Sequence, residues 1–194
     1  MPHRQRQDRR DDRQADRGPS PQADSSPQAA GGPVRYQVRQ GMFTIGDDFW
    51  IETESGQKVY KVDGKAMRVR STLLFEDAQG HELYEIQEKM ARARDTMNID
   101  DASGKTALKV HNAMVTPARD RWQIDVPGGK NLTATGNIMQ HEYKIERGRD
   151  KIAEVSKKWF RARDMYGVEV YDQQDAVIAL LIAIVIDMMA SSGR

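Results

Sequence analysis

Cysteine is absent from all 194 residues, which removes disulfides, thiolate zinc sites and cysteine nucleophiles together and fits a reducing compartment. Large apolar side chains are missing from the first 33 residues apart from Met1, and six Arg and five Asp are interleaved there with Gln, Ser, Pro and Ala. Such a segment cannot bury enough apolar surface to offset the entropy lost on ordering, so residues 1–33 are expected to be a disordered, solvated tail. They also lack the apolar stretch of a secretory signal, which points to a cytoplasmic protein. Net charge is small as well. The formal total is +1, and beyond the tail 24 basic residues face 24 acidic ones. No global field then draws nucleic acid to the folded part.

Long apolar runs are missing except for one. Ala176 to Ala190 reads AVIALLIAIVIDMMA, with Asp187 its single polar residue. A helix that is apolar on every side must be enclosed by lipid or by protein. A bilayer core asks for about 20 apolar residues, and runs of roughly 10 to 14 are more often buried core helices. The uncharged part of this run, residues 176–186, is of the shorter kind. Asp175 stands where an N-cap would, able to accept from first-turn amides. Asp187 lies deep in the apolar stretch, and a lone buried carboxylate is costly. It is expected to reach the mouth of the enclosure or to pair with an inward Lys or Arg.

The enclosure is written in the preceding residues. From Tyr36 to Tyr171 short segments alternate apolar and polar side chains, among them Val59–Val62, Met67–Val69, Leu83–Ile86, Leu108–Val110, Trp122–Ile124 and Tyr143–Ile145. That alternation is the mark of short strands. Between them Gly56, Gly80, Gly104 and Gly128 recur every 24 residues, each inside a polar turn. A unit of about 24 residues holds two strands and two connections, so about ten to twelve antiparallel strands are expected, as a sandwich or a closed barrel. A helix of about 15 residues is roughly 22 Å long. A seven-residue strand spans about the same. A barrel of so many strands is too wide for its own side chains to fill, and this helix fits its lumen.

Catalytic constellations are missing too. Ser103-Gly104-Lys105-Thr106 ends like a phosphate-binding loop, but the required earlier glycine is Ile99, and the turn repeats in sister units. His81, His111 and His141 lack zinc-ligand spacing. None of the nine serines sits in a nucleophile setting. No metal, cofactor or catalytic residue is therefore expected. One local cluster mixes cations with aromatics: Lys157, Lys158, Trp159, Phe160, Arg161 and Arg163. Such a mix suits anionic headgroups, with cations on phosphate and a ring at the interface. The alternative places the rings against the barrel and the cations in water.

At this cluster the chain resembles a known family. Val155-Ser156-Lys157-Lys158-Trp159-Phe160, then Arg163-Asp164-Met165-Tyr166-Gly167-Val168-Glu169-Val170, Asp175 and the helix ending Ala183-Ile184-Val185-Ile186-Asp187 are similar to the signature of the LURP-one-related proteins. Position 165, Met here, is more usually Thr or Ser. The resemblance runs from about Tyr36 to Met189 and takes in the opening segment with Arg35-Tyr36 and Phe43-Ile45. It implies the fold shared with Tubby C-terminal domains and phospholipid scramblases: a twelve-stranded antiparallel barrel around a hydrophobic C-terminal helix. Tubby domains bind phosphoinositides, scramblases are linked to lipid movement, plant relatives to pathogen defence, and bacterial-type members lack an assigned activity.

The expectation is thus a mainly β barrel domain over residues 34–194, with its helix at about 174–190. Functionally it is expected to be a non-enzymatic cytoplasmic binding or scaffold module, peripheral at a membrane. It would contact anionic phospholipid or a protein partner through Lys157, Lys158, Trp159, Arg161 and Arg163, without a transmembrane span. Two alternatives stand beside it: a scramblase-like protein with the C-terminal segment in lipid, and an enzyme with a site at the barrel mouth.

Overall fold

The computed structural model describes residues 32–39, 48–64, 72–87, 96–114, 120–160 and 164–192. The tail reading, the alternating segment at Met67–Val69 and the opening segment Phe43–Ile45 lie outside them. Twelve strands follow in order: β1 (Val34–Arg39), β2 (Phe49–Thr53), β3 (Lys58–Asp63), β4 (Thr72–Asp77), β5 (Glu82–Gln87), β6 (Thr96–Asp101), β7 (Thr106–Met114), β8 (Asp120–Asp125), β9 (Leu132–Asn137), β10 (Glu142–Arg147), β11 (Asp150–Ser156) and β12 (Met165–Val170). Each pairs antiparallel with its sequence neighbours, and β1 pairs with β12 from Val34↔Val170 to Arg39↔Met165. The sheet is therefore a closed barrel, which leaves no free edge to recruit another chain. The sandwich alternative is excluded by that last pairing.

The 24-residue period is structural. Register shifts fall between Ile51/Glu52, Phe75/Glu76 and Ile99/Asp100, just before the turn in the first three of the four repeats. An extra residue there bends the strand and sharpens its twist, which helps a meander curl into a barrel. The turn glycine follows in left-handed backbone, as at Gly104 with φ 80, a region that side chains with a Cβ enter at a cost. In the turn that resembled a phosphate loop, Asp101 Oδ1 accepts from the Ser103 and Lys105 amides at 2.9 and 3.1 Å. Those bonds hold a hairpin, so the motif is a turn.

Inward positions alternate along every strand. Val38, Ile51, Val62, Phe75, Ile86, Ile99, Val110, Ile124, Ile145, Val155 and Val168 all have no exposed surface. They close around helix α1 (Ala176–Ser192), whose residues Ala179 to Ile186 are likewise fully buried. The helix is thus the hydrophobic core of the barrel. Its last residues before the regular helix, Gln173–Asp175, form a 3-10 turn, so α1 starts and ends two residues later than expected. Strands of six residues run about 20 Å, and the 17-residue helix runs about 25 Å, enough to reach both mouths.

The meander sorts the connections between these mouths. Hairpin turns after β2, β4, β6, β8 and β10 share one end with the start of α1. The links after β1, β3, β5, β7, β9 and β11 share the other, which is where α1 ends. We refer to them as the near and far mouths.

Ending the chain before Asp175 should abolish cooperative unfolding, because the lumen lining would have no partner; a sharp melting transition in the truncated protein would contradict the plug arrangement. Within the helix, Leu181→Ala should cost about 2–5 kcal/mol, read as a lowered denaturant midpoint.

Candidate functional site

The cation-aromatic segment begins where β11 ends. The Ser156 hydroxyl donates to Glu142 Oε1 at 2.9 Å and accepts from the Lys158 amide at 3.1 Å. Lys158 then reaches the other oxygen of Glu142 at 3.0 Å, with its side chain 79% exposed. An exposed pair of this kind contributes at most about 1 kcal/mol, so it orients the ammonium without sequestering it. The chain turns back, and the Trp159 and Phe160 rings settle on the outside of β12. Their seat is Gly167. A Cβ there would stand 2.6 Å from Phe160 Cε2 and 2.7 Å from Trp159 Cε3, so the wall can carry these rings only where it has no side chain. From the neighbouring strand, Arg35 holds its guanidinium 5.1 Å from the Trp159 ring centroid and donates to Glu169 at 2.8 Å. A cation within about 6 Å of an aromatic face is attracted to it.

Of the five residues expected to meet lipid, the structure brings Lys157, Lys158 and Trp159 together in one turn at the far mouth. Arg161 and Arg163 lie outside the described residues. Trp159 is half-buried against the wall. The contributions of Arg35, Glu142, Glu169 and Gly167 were missed, and the Tyr-Gly-Val signature was the available signal for Gly167.

The two carboxylates of the helix region have other partners than expected. Both oxygens of Asp175 accept from Arg147, Oδ2 at 3.1 Å from Nη1, and this bond raises the Arg147 pKa above its ordinary value. The expected capping role is instead taken by Asp172, whose side chain accepts from the Gln174 amide at 2.9 Å at the head of the 3-10 turn. Asp187 is paired, but to a histidine: His141 Nε2 lies 3.0 Å from Asp187 Oδ1, and both side chains are about 95% buried. The reason is backbone geometry. His141 ends the 3-10 turn Ile138–Gln140 in left-handed conformation, φ 53, which turns its ring into the lumen.

Tyr166 lies beside that ring, centroids 4.5 Å apart. Its hydroxyl and that of Tyr143 are buried without hydrogen-bond partners among the described residues. Burial pushes both phenols well above their ordinary pKa, and the Asp187 charge adds to it. His81 bonds Asp77 at 2.8 Å on a near-mouth turn, far in topology from His141, and among the described residues no acidic or histidine cluster is arranged for a metal.

A raised tyrosine pKa gives stability that is complete below the unfolded value, about 10, and is lost as pH climbs toward the folded one. Absorbance titration should therefore show Tyr143 and Tyr166 ionising only together with alkaline unfolding, and Tyr143→Phe with Tyr166→Phe should remove that part of the signal. Ionisation of either residue in still-folded protein near pH 10 would contradict the geometry.

Comparison with known proteins agrees with this architecture. The chain is 29% identical over 156 residues to the uncharacterised protein YxjI of Bacillus subtilis strain 168, covering 80% of this chain and 93% of that one. A crystal structure of an Arabidopsis thaliana protein superposes with a TM-score of 0.59 at 13% identity, over 84% of this chain and 93% of the other, which shows a common fold. The family model described as LURP-one-related matches residues 34–187, from the first strand to the buried aspartate of the plug. The chain belongs to the LURP-one-related family.

Proposed function

We propose that this protein is a non-enzymatic binding module, cytoplasmic and peripheral at membranes, that contacts anionic phospholipid through the rim around Lys157, Lys158, Trp159, Arg161 and Arg163. The observation that carries this reading is the braced turn at 157–160. Glu142, Ser156 and Gly167 hold it against the wall, so its cations are presented without ordering a free loop on binding, which lowers the cost of association. The lumen supports the same reading from the other side. Its interior is taken up by α1, whose central residues are fully buried, so a ligand would be met on the outer surface or at a mouth.

The scramblase-like alternative has one observation in its favour. Residues Gln173–Ser191 are long and apolar enough to cross a bilayer by length and composition. Crossing would require the helix to leave the barrel, exposing inward faces of all twelve strands. The peripheral reading asks for no such cost.

Each cation near an anionic leaflet contributes about 1 kcal/mol. Co-sedimentation with phosphatidylcholine vesicles containing phosphatidylserine should recover wild-type protein, and Lys157→Ala/Lys158→Ala/Arg161→Ala should weaken recovery about tenfold or more. Raising the salt should have the same effect, through screening. Equal sedimentation of the two proteins would rule out this rim as the contact.

A further inference from the structure

The far end of the lumen is not apolar throughout. Four polar side chains meet there from four elements: His141 at the end of the 3-10 turn, Tyr143 second in β10, Tyr166 second in β12 and Asp187 near the end of α1. None is more than 4% exposed. His141 Nε2 lies 3.0 Å from Asp187 Oδ1, and the Tyr166 ring lies 4.5 Å from the imidazole, centroid to centroid. Tyr143 belongs to the same group. Burial raises the pKa of both phenols, Asp187 raises both further, and Tyr143 adds to the rise at Tyr166.

Three atoms of this group have no hydrogen-bond partner among the described residues: Nδ1 of His141 and the hydroxyls of Tyr143 and Tyr166. Left so, each would carry the full cost of its desolvation. Buried polar groups are as a rule satisfied, by ordered water where the protein offers nothing. The lining follows that rule elsewhere, since at the near mouth the Tyr36 hydroxyl donates to Gln173 Oε1 at 2.8 Å.

The chemistry of the three atoms narrows the partner. The two phenols keep their hydrogens and so present O–H donors, not phenolate ligands for a cation. The Asp187 carboxylate beside them repels an anion. On His141, the tautomer whose Nε2–H donates to Asp187 leaves Nδ1 as an acceptor. A small neutral molecule with two lone pairs to offer and a hydrogen to give fits all three. Water makes about three hydrogen bonds at such places. The wall beside Tyr143 carries no bulk. Opposite Tyr143 and Ile145, β9 presents Gly136 and Ala134, and a Cβ at Gly136 would stand 2.6 Å from Tyr143 Cα, which keeps that position without a side chain.

We propose that Tyr143, Tyr166 and His141 enclose a binding site for one long-lived water molecule, which accepts from the two hydroxyls and donates to Nδ1. Through the His141–Asp187 pair this water joins β10 and β12 to the end of the plug helix. It makes the far end of α1 a bridged contact in place of a purely apolar one.

Two measurements on the full-length protein test it. A high-resolution crystal structure should show a water peak within hydrogen-bond distance of both hydroxyls and of His141 Nδ1. Absence of that peak overturns the proposal, and density larger than one water, with a matching bound mass in native mass spectrometry, overturns it in favour of another neutral ligand. In denaturant, Tyr143→Phe and Tyr166→Phe should each lower the unfolding midpoint, because each removes one bond from the water and nothing else. Hydroxyls without any partner would behave in the opposite way, since deleting them relieves a desolvation cost. A raised or unchanged midpoint in either variant therefore overturns the site. One water serves both hydroxyls, so the double variant should lose less than the sum of the single losses; full additivity overturns a shared guest.

Discussion

A helix without a polar face has to be surrounded, and the rest of this structure follows from that constraint. Ala179 to Ile186 touch no water, so apolar side chains must approach from every direction around the axis. A single layer of helices or one open sheet cannot supply that. A closed sheet can, and twelve strands give a circumference wide enough to admit a helix in place of the side chains that would fill a smaller barrel. The dependence runs both ways, since the lumen lining has no other partner.

Closure also explains why the sequence is so regular. A meander that returns to its start must turn by a similar amount at each hairpin. The repeated bulges at Ile51/Glu52, Phe75/Glu76 and Ile99/Asp100 provide that turning at equal intervals. A consequence of the meander is that the two mouths are built from different kinds of connection. Tight glycine hairpins form the near one, where Asp172 and the Arg147–Asp175 pair anchor the start of the helix. At the far one His141 holds the end of the helix through Asp187.

The signature that marks the family combines both needs within a few residues. Tyr166 and Val168 point inward and pack in the core, while Gly167 between them points outward and receives Trp159 and Phe160. Alternation along one strand thus lets a single tripeptide serve the core and the surface. The same strand sets Glu169 opposite Arg35 of β1, so the pair that closes the barrel also steadies the aromatic turn. Surface recognition in this protein is tied to the wall by the residues that complete the fold.

Much of the fold was legible in the sequence because its determinants are local and repeated. Period-two alternation, glycines every 24 residues and one apolar run of helical length are properties of neighbouring residues, and together they narrow the strand number to about ten to twelve and give the turn positions and the need for an enclosure. The site was less legible. That Asp187 needed a buried partner follows from the cost of an isolated carboxylate, but its partner lies 46 residues away and reaches it through a left-handed backbone that histidine rarely adopts. Asp175 reads locally as a cap, yet Arg147 across the near mouth takes its carboxylate, and only the closed sheet brings them together. Gly167 enters the sequence only as one residue of the signature, and its use as a seat for two rings depends on where the chain returns. The sequence alone determined what had to be enclosed and that about ten to twelve strands had to do it. Tertiary structure decided which charges meet and where the aromatic turn is seated, because those relations join segments that have no contact along the chain.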